Sequence, residues 1–192
     1  HVTVIEAPLN EARSLAVIGE VYRLIPDKPI KFIVTTHHHW DHLGGLRAYV
    51  HEGATVVTHE GNKPYYQEVL RAGLWTLEPD RFSLHPPEEW SEGYIFETVN
   101  EKYVLADDTR RVELHHVTGL AHAAGMLFAY IPGEKILVQA DLYFPAAPAP
   151  NASVRSLQRN LQRLGLDVET IVGIHQAPAP MSQFTEFVGD GQ

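Results

Sequence analysis

The densest group of possible metal ligands in this sequence lies at residues 36–42, which read Thr-His-His-His-Trp-Asp-His. The pattern is H-x-H-x-D-H, and the residues that match it are His37, His39, Asp41 and His42. Neutral imidazole and carboxylate are the ligands that zinc takes when cysteine is absent, and this chain has no cysteine. The apolar run 30–34 comes directly before, so a strand can hold these donors rigidly. The pattern therefore predicts a transition-metal site at a strand end, rather than a purification tag or a solvated histidine cluster.

The H-x-H-x-D-H segment resembles the signature of the metallo-β-lactamase fold superfamily. This resemblance implies three further ligands in a fixed order, namely a histidine on a glycine-rich turn, an aspartate ending a strand and a histidine ending another strand. The sequence has a residue of the expected type in each context: His122 within 117–125, Asp141 after 136–140, and His175 after 170–174. The resemblance extends from about Val4 to His175 and covers most of the chain.

Two positions depart from the family pattern. Ala121 stands where the family usually has a glycine before the histidine of the glycine-rich turn, and we expect a small change in turn shape. Glu6 follows the early strand where the family often has an aspartate that supports the metal loop. Its longer carboxylate is expected to accept a hydrogen bond from a ligand imidazole or a loop amide.

The resemblance implies a centre with two metal ions. It would place His37, His39 and His122 on the first ion, Asp41, His42 and His175 on the second, and Asp141 between them. Two such ions would polarise a shared water for attack on a carbonyl or phosphoryl group. The di-iron oxidoreductase branch of the family resembles H-x-E-x-D-H, with glutamate at the position that His39 holds here. The histidine therefore favours two zinc ions (Zn2+) per chain, with iron or manganese as the alternatives.

Two residues are candidates for catalytic roles beside the metal. Asp41 would orient the attacking water, and Tyr143 would donate a hydrogen bond to a substrate oxygen. The alternative for Tyr143 is a ring on the rim of the core. Aromatic side chains at residues 75–96 would either form an apolar wall over the substrate or pack that loop onto the fold. These side chains are Trp75, Phe82, Trp90, Tyr94 and Phe96.

Composition limits the function classes. The chain has 192 residues, of which 44% are hydrophobic, and this suits one globular domain over residues 1–192. No apolar stretch approaches the roughly 18–20 residues needed to cross a bilayer. The formal charge is −9, and two zinc ions would bring it only to −5. An acidic chain without a stripe of Lys and Arg is a poor match for nucleic acid, so the expected partner is a small-molecule substrate. Both a cytoplasmic and an exported location remain open.

The pattern of apolar residues predicts alternating helices and strands, as in a four-layer αββα metallo-β-lactamase sandwich. Helical spacing extends from Ala12 to Leu24 after a possible N-cap at Asn10, and from Val154 to Leu164 between Ser153 and Gly165. A hairpin is predicted around Pro132-Gly133. Gly44-Gly45 is expected to allow a tight turn into a helix that begins near Leu46.

The beginning of the chain departs from the family sandwich, which usually has strands ahead of the one at Val2–Glu6. We expect those first N-terminal strands to be lacking here. Residues 2–5 would then lie beside another polypeptide, either a second copy of the chain or a detached N-terminal segment. The alternative is a smaller sheet whose edge is covered by a loop.

The leading functional hypothesis is a binuclear-zinc hydrolase that acts on a small ester, thioester, lactone or lactam. One alternative is a mononuclear iron oxidoreductase, dioxygenase-like, that uses His37, His39, His122 and Asp141 or a subset of them. A second alternative is a β-lactamase proper, and a third is a non-catalytic relative. The fold alone does not decide among them.

Overall fold

The computed structural model describes residues 1–72, 78–85 and 96–189. The chain forms two compact units, His1–Thr98 and Val99–Gln192. The single domain expected over residues 1–192 stays a prediction. None of the described helices is long and apolar enough to span a bilayer.

The first unit alternates strands and helices. Its elements are β1 (Val2–Ile5), α1 (Glu11–Leu24), β2 (Ile30–Val34), α2 (Trp40–Leu43), α3 (Leu46–His51), β3 (Thr55–His59), a 3₁₀ turn (Glu60–Asn62), α4 (Lys63–Ala72), α5 (Arg81–Leu84) and β4 (Phe96–Val99). Within the described residues the strands form a four-stranded sheet in the order β1-β2-β3-β4. Strands β1, β2 and β3 are parallel, and Ile5 pairs with Val34. The residues that follow β1 and β2 therefore emerge side by side at one edge of the sheet.

Strand β1 is at one end of this sheet order. The second copy or detached segment expected beside it stays a prediction. The helix after β1 begins as the sequence indicates, because the Asn10 side chain accepts a hydrogen bond from the Arg13 amide at 3.0 Å. Helix α1 starts at Glu11, one residue before the predicted start.

The second unit is built around a larger sheet. Its elements are β5 (Lys102–Ala106), β6 (Arg111–His116), β7 (Leu127–Ile131), β8 (Ile136–Gln139), α6 (Ala152–Leu164), β9 (Thr170–Gly173), β10 (Ala179–Pro180) and α7 (Met181–Val188). Over residues 99–189 the strands form a six-stranded sheet in the order β10-β9-β8-β7-β6-β5. The predicted hairpin is confirmed, since β7 and β8 pair antiparallel. Strands β8 and β9 are parallel, so the residues after both strands lie at the same edge.

The start of α6 corrects one prediction. The cap is Asn151, whose side chain accepts from the Val154 amide at 3.0 Å, and not Ser153. Ser153 lies inside the first turn of the helix. The predicted end at Gly165 is confirmed, because this residue has a φ of +61°, a conformation that glycine adopts without steric cost.

Each unit has its own apolar core. In the first unit, side chains from the sheet, α1, α3 and α4 meet around Ile33, Leu46 and Tyr49. In the second unit, the sheet packs against α6 and α7 around Phe128, Leu157 and Phe184. The predicted alternation of strands and helices is confirmed in the first unit, whereas strands β5 to β8 of the second unit follow one another over the described residues 102–139 without a helix between them.

Candidate metal centre

The predicted ligands of the first unit lie together directly after β2. His37 and His42 are fully buried, whereas His39 and Asp41 are partly exposed. The Nε2 atom of His37 lies 3.1 Å from the Nδ1 atom of His39. The Nε2 atom of His42 lies 3.5 Å from a carboxylate oxygen of Asp41. The rings of His37 and His42 are 4.3 Å apart between centroids, so both pairs belong to one cluster.

Glu6 supports this cluster from the end of β1. Its side chain is buried, with one oxygen accepting from the Thr36 amide and the other bonded to Nδ1 of His42, both at 2.6 Å. A carboxylate can only accept, so His42 donates from Nδ1 and offers the lone pair of Nε2. The expectation that Glu6 would bond a loop amide or a ligand imidazole is confirmed, and it bonds one of each.

The backbone around the first set of ligands is fixed by contacts with distant residues. The Ala7 amide donates to the His42 carbonyl at 2.9 Å, and the Leu9 amide donates to the Asp41 carbonyl at 3.2 Å. The buried Tyr66 hydroxyl donates to the His37 carbonyl at 2.8 Å. Burial raises the pKa of Tyr66, so this hydroxyl keeps its proton. The ligands therefore sit on a rigid base.

The predicted tight turn into α3 is present at Gly44-Gly45, but it does not need the unusual backbone angles that only glycine adopts. Gly44 has a φ of −59° and Gly45 a φ of −105°, values that other residues also adopt. A Cβ on Gly44 would lie 2.1 Å from the Leu9 carbonyl oxygen, and one on Gly45 would lie 2.0 Å from the Ser14 hydroxyl oxygen. The two glycines are therefore needed for close approach between the metal loop and the start of α1.

The predicted ligands of the second unit also lie together. The Asp141 carboxylate has one oxygen 3.1 Å from Nε2 of His122 and the other 3.2 Å from Nε2 of His175. Asp141 follows β8 and His175 follows β9, so the parallel pairing of these strands brings the two residues together. The Asp141 backbone has a φ of +57°, in the left-handed region that is costly for a residue with a Cβ.

The loop that carries His122 is anchored to α6. The Thr118 carbonyl accepts from Nδ2 of Asn160 at 2.9 Å and from the Ser156 hydroxyl at 3.1 Å, and the Thr118 amide donates back to Asn160. Ala121, which replaces the family glycine, is exposed, so its methyl group has room.

The spacing of the donor atoms fits metal binding. Two ligand atoms that are each about 2.1 Å from one zinc ion at the tetrahedral angle are about 3.4 Å apart. Two donor pairs in each unit are separated by 3.1 and 3.5 Å and by 3.1 and 3.2 Å, respectively. All seven residues offer imidazole nitrogens or carboxylate oxygens suited to holding a metal ion. The two sets of residues therefore fit the metal that their chemistry implies.

Comparison with known proteins decides the family. The model of the metallo-β-lactamase superfamily matches residues 3–175. The chain belongs to this superfamily. No curated protein sequence matches the chain. The predicted resemblance and the α/β fold class, with two sheets and helices in the described ranges, are confirmed.

Solved structures of the superfamily share the fold at low sequence identity. A metallo-β-lactamase from Pontibacter korlensis is 19% identical with a TM-score of 0.68, and the match covers 97% of this chain and 80% of that one. The DIM-1 metallo-β-lactamase is 13% identical with a TM-score of 0.67, over 97% and 79% of the two chains. The flavodiiron protein from Giardia intestinalis is 16% identical with a TM-score of 0.66, over 97% and 47%.

Tyr143, the second catalytic candidate, lies in the core of the second unit. Its ring is 1% exposed and packs against Phe184 and Phe187, with centroids 5.0 and 5.6 Å away. The buried hydroxyl has no hydrogen-bond partner among the described residues, and burial raises its pKa. This position favours the packing role, and it is more buried than the rim position that the sequence suggested. The contact with a substrate oxygen stays a prediction.

The aromatic segment at residues 75–96 is only partly described. Trp75, Trp90 and Tyr94 lie outside the described residues. Phe82 is buried in the core of the first unit, beneath the Arg47 guanidinium at 4.4 Å. The ring of Phe96 is approached by the Lys63 ammonium at 5.6 Å. Both described rings therefore pack onto the first unit.

Proposed function

We propose that the ligands of the two units form one binuclear metal centre and that the chain is a metal-dependent hydrolase. The expected substrate is a small ester, thioester, lactone or lactam. The observation that carries this proposal is the spacing of 3.1–3.5 Å between donor atoms within each set, which matches the separation of two ligands on one zinc ion. The family match from residue 3 to residue 175 includes all seven donors, which supports placing them in one site.

The contacts of Asp141 support the proposed assignment of ligands. His37, His39 and His122 would hold the first ion, and Asp41, His42 and His175 would hold the second. Asp141 directs one oxygen to His122 and the other to His175, which belong to different ions in this assignment. A carboxylate whose two oxygens are directed in this way could contribute a ligand to both ions.

The protein's own groups would then bind and orient the reactants. Two bound zinc ions supply a polarised water and a Lewis acid for the substrate carbonyl. Asp41 is partly exposed beside buried His42, so its carboxylate can accept a proton from the attacking water and direct that water to the carbonyl. Trp40 lies between two ligands in sequence and is 67% exposed, which provides an apolar surface for the carbon skeleton of a substrate.

Oxidoreductase chemistry is the second candidate, because a flavodiiron protein shares the fold. His39 weighs against it, since the di-iron branch resembles a pattern with glutamate at that position. A β-lactamase proper is the other alternative among the hydrolases. Because metallo-β-lactamases are among the similar structures, β-lactams belong in the panel of substrates to be tested. At 13–19% identity these structures speak for the fold alone.

Metal analysis combined with a substrate panel tests the proposal. The purified chain should hold two zinc ions, hydrolyse a lactone, thioester, ester or cephalosporin, lose this activity with a chelator and regain it with zinc. Asp141→Asn keeps the shape and tolerates the left-handed backbone, yet it should lose the second ion and orders of magnitude in rate. Asp167→Ala is the control, because this aspartate is exposed and pairs with Lys135 at the surface.

Three outcomes separate the alternatives. One iron ion per chain without hydrolysis would favour the oxidoreductase. Full activity in Asp141→Asn, with two zinc ions still bound, would contradict the bridging role. No bound metal under any loading condition would contradict the hydrolase altogether.

A further inference from the structure

Two glutamine side chains of the second unit meet at one backbone carbonyl. The Nε2 atom of Gln139 donates to the Tyr143 carbonyl at 3.0 Å, and Nε2 of Gln176 donates to the same oxygen at 2.7 Å. Gln139 comes two residues before Asp141, and Gln176 comes directly after His175. The segments that carry two proposed ligands are therefore joined through a shared acceptor.

Gln139 directs its whole amide to the turn that follows Asp141. It is 1% exposed, and its Oε1 atom accepts from the amides of Leu142 at 2.9 Å and Tyr143 at 3.2 Å. Together with its bond to the Tyr143 carbonyl, Gln139 satisfies three backbone groups of this turn. An apolar side chain of the same shape would deprive the amides of Leu142 and Tyr143 of this buried acceptor and leave the Tyr143 carbonyl with Gln176 alone. The turn begins at Asp141, whose φ of +57° needs support from its surroundings.

Gln176 lies over a glycine that leaves room for it. Gly173 pairs with Gln139 in the register of β8 and β9. A Cβ on Gly173 would lie 2.5 Å from Cγ and Nε2 of Gln176. The Oε1 atom of Gln176 is buried and has no hydrogen-bond partner among the described residues. A buried oxygen without a partner lowers stability, so packing alone would favour an apolar side chain at this position. Glutamine is therefore explained by the hydrogen bond that its Nε2 atom donates.

We propose that Gln139 and Gln176 are positioning residues that hold Asp141 and His175 in the geometry of metal ligands. The inference rests on the proposed function, because it assigns these glutamines to the second-unit part of the same centre. Parallel pairing brings the ends of β8 and β9 together, but it does not fix the turns beyond them. The shared Tyr143 carbonyl ties both turns, and it keeps the Asp141 carboxylate 3.2 Å from the His175 ring. Ligand side chains need such outer contacts to bind metal tightly.

Zinc binding by matched variants tests this inference. Gln176→Met removes the donor and keeps the length of the side chain. Gln176→Glu keeps the shape and places an acceptor against the carbonyl. Gly173→Ala displaces Gln176 without changing it, and the fold should tolerate this because the contacted atoms belong to a flexible side chain. Gln162→Met, on the exposed face of α6, is the control.

Each variant would be titrated with zinc against a chromophoric chelator, and the metal-free proteins would be compared by thermal unfolding. We expect Gln176→Met, Gln176→Glu and Gly173→Ala to bind zinc about 10–100-fold more weakly than wild type. The thermal unfolding of these metal-free variants should change little. The control should bind like wild type. If wild type binds zinc and both Gln176→Met and Gly173→Ala bind it equally well, this inference is wrong and the proposed function stands. If wild type binds no zinc, both are wrong.

Hydrogen exchange gives a readout that does not need metal. In the metal-free chain, the amides of Leu142 and Tyr143 should exchange at least about tenfold faster in Gln139→Met than in wild type, because Gln139 Oε1 is their acceptor. The Val154 amide, bonded to the Asn151 cap, should keep its rate and show that the variant is folded. Unchanged exchange at Leu142 and Tyr143 would overturn the role of Gln139.

Discussion

Substitution of Glu6 is expected to destabilise the protein and to weaken metal binding together, because one buried carboxylate serves both the fold and a proposed ligand. Glu6 accepts from the Thr36 amide and bonds Nδ1 of His42, each at 2.6 Å. Its side chain is 2% exposed, so water cannot take over either contact without opening the structure. The effect should therefore appear in the metal-free protein as well as in the zinc-bound one.

The size of the effect follows from the two contacts. Glu6→Ala leaves two buried donors without an acceptor, each at a cost of about 1–3 kcal/mol, so about 2–6 kcal/mol is expected in total. A typical domain has a free energy of unfolding of roughly 5–15 kcal/mol, so a loss of this size would remove a large part of it. Glu6→Gln keeps the shape and one acceptor oxygen. Its amide NH2 group would then face either Thr36 or His42, and about 1–3 kcal/mol should be lost.

The glutamine variant also separates stability from metal binding. With an NH2 group facing Nδ1, the His42 ring must accept there and carry its proton on Nε2, the atom proposed to bind metal. Zinc affinity should fall about 10–100-fold even where the fold is retained. Urea unfolding of the metal-free chain and zinc titration against a chelator measure the two effects separately.

Glu68→Gln provides the matched control, since this glutamate is exposed on α4. It should unfold and bind zinc like wild type. The reasoning would be refuted if Glu6→Ala unfolded within about 0.5 kcal/mol of wild type, a difference typical of an ordinary surface substitution. Unchanged zinc affinity in Glu6→Ala would separately refute the role of Glu6 in orienting His42.

Three further predictions concern other parts of the chain. Tyr143→Phe should unfold at the same temperature as wild type or slightly higher, because the lost hydroxyl has no partner among the described residues. A large loss of hydrolysis rate at unchanged stability would instead support the contact with substrate. Gly45→Ala should lower the free energy of unfolding in urea by about 1–3 kcal/mol, since its Cβ would lie 2.0 Å from the Ser14 hydroxyl oxygen. Gly19→Ala, with open space around it inside α1, should instead raise that free energy by about 0.5–1 kcal/mol. Burial alone would raise the pKa of Asp80, but hydrogen bonds from Arg47 and Ser83 outweigh it and lower the pKa to about 2 from an ordinary 3.8. Because the folded pKa is the lower one, this stabilisation is present above pH 4 and is lost as the pH falls towards 2; Asp80→Asn should therefore remove no more than about 2 kcal/mol of acid-sensitive stability, measured by urea unfolding from pH 2 to 5.

Local signals in the sequence were enough to predict most of the elements and the donors near them. Helix α1 begins after Asn10 and α6 ends at Gly165 as predicted, because a cap depends on a few neighbouring residues. The error at the start of α6 is of the same local kind. Asn151 and Ser153 are both good caps, and the choice depends on which side-chain oxygen reaches the Val154 amide.

Contacts between distant residues could not be read from the sequence in this way. Gly44 and Gly45 correctly predicted the turn into α3, but the need for glycine there arises because Leu9 and Ser14 approach closely from the segment before α1 and from α1 itself. Gln139 gave a signal that was available but unused, since it is a polar residue at the end of the apolar run 136–138 and comes just before a proposed ligand. Its three partners lie beyond that ligand, so its role became visible only with the turn in place.

Backbone strain at the two carboxylates shows why the sites are arranged this way. Glu6 has a φ of +77° and Asp141 a φ of +57°, a conformation that costs roughly 1–2 kcal/mol for a residue with a Cβ. Glu6 immediately follows β1 and Asp141 comes two residues after the end of β8, and each directs a carboxylate to a histidine of its own unit. A left-handed residue bends the chain sharply at one position. The carboxylate can thereby turn back over the end of the sheet, where the histidines lie. A residue in an ordinary extended conformation would instead continue the alternation of the strand and place its side chain on one face of the sheet. The strain therefore coincides with the ligand geometry in both units, and the hydrogen bonds of Thr36 and Gln139 offset it.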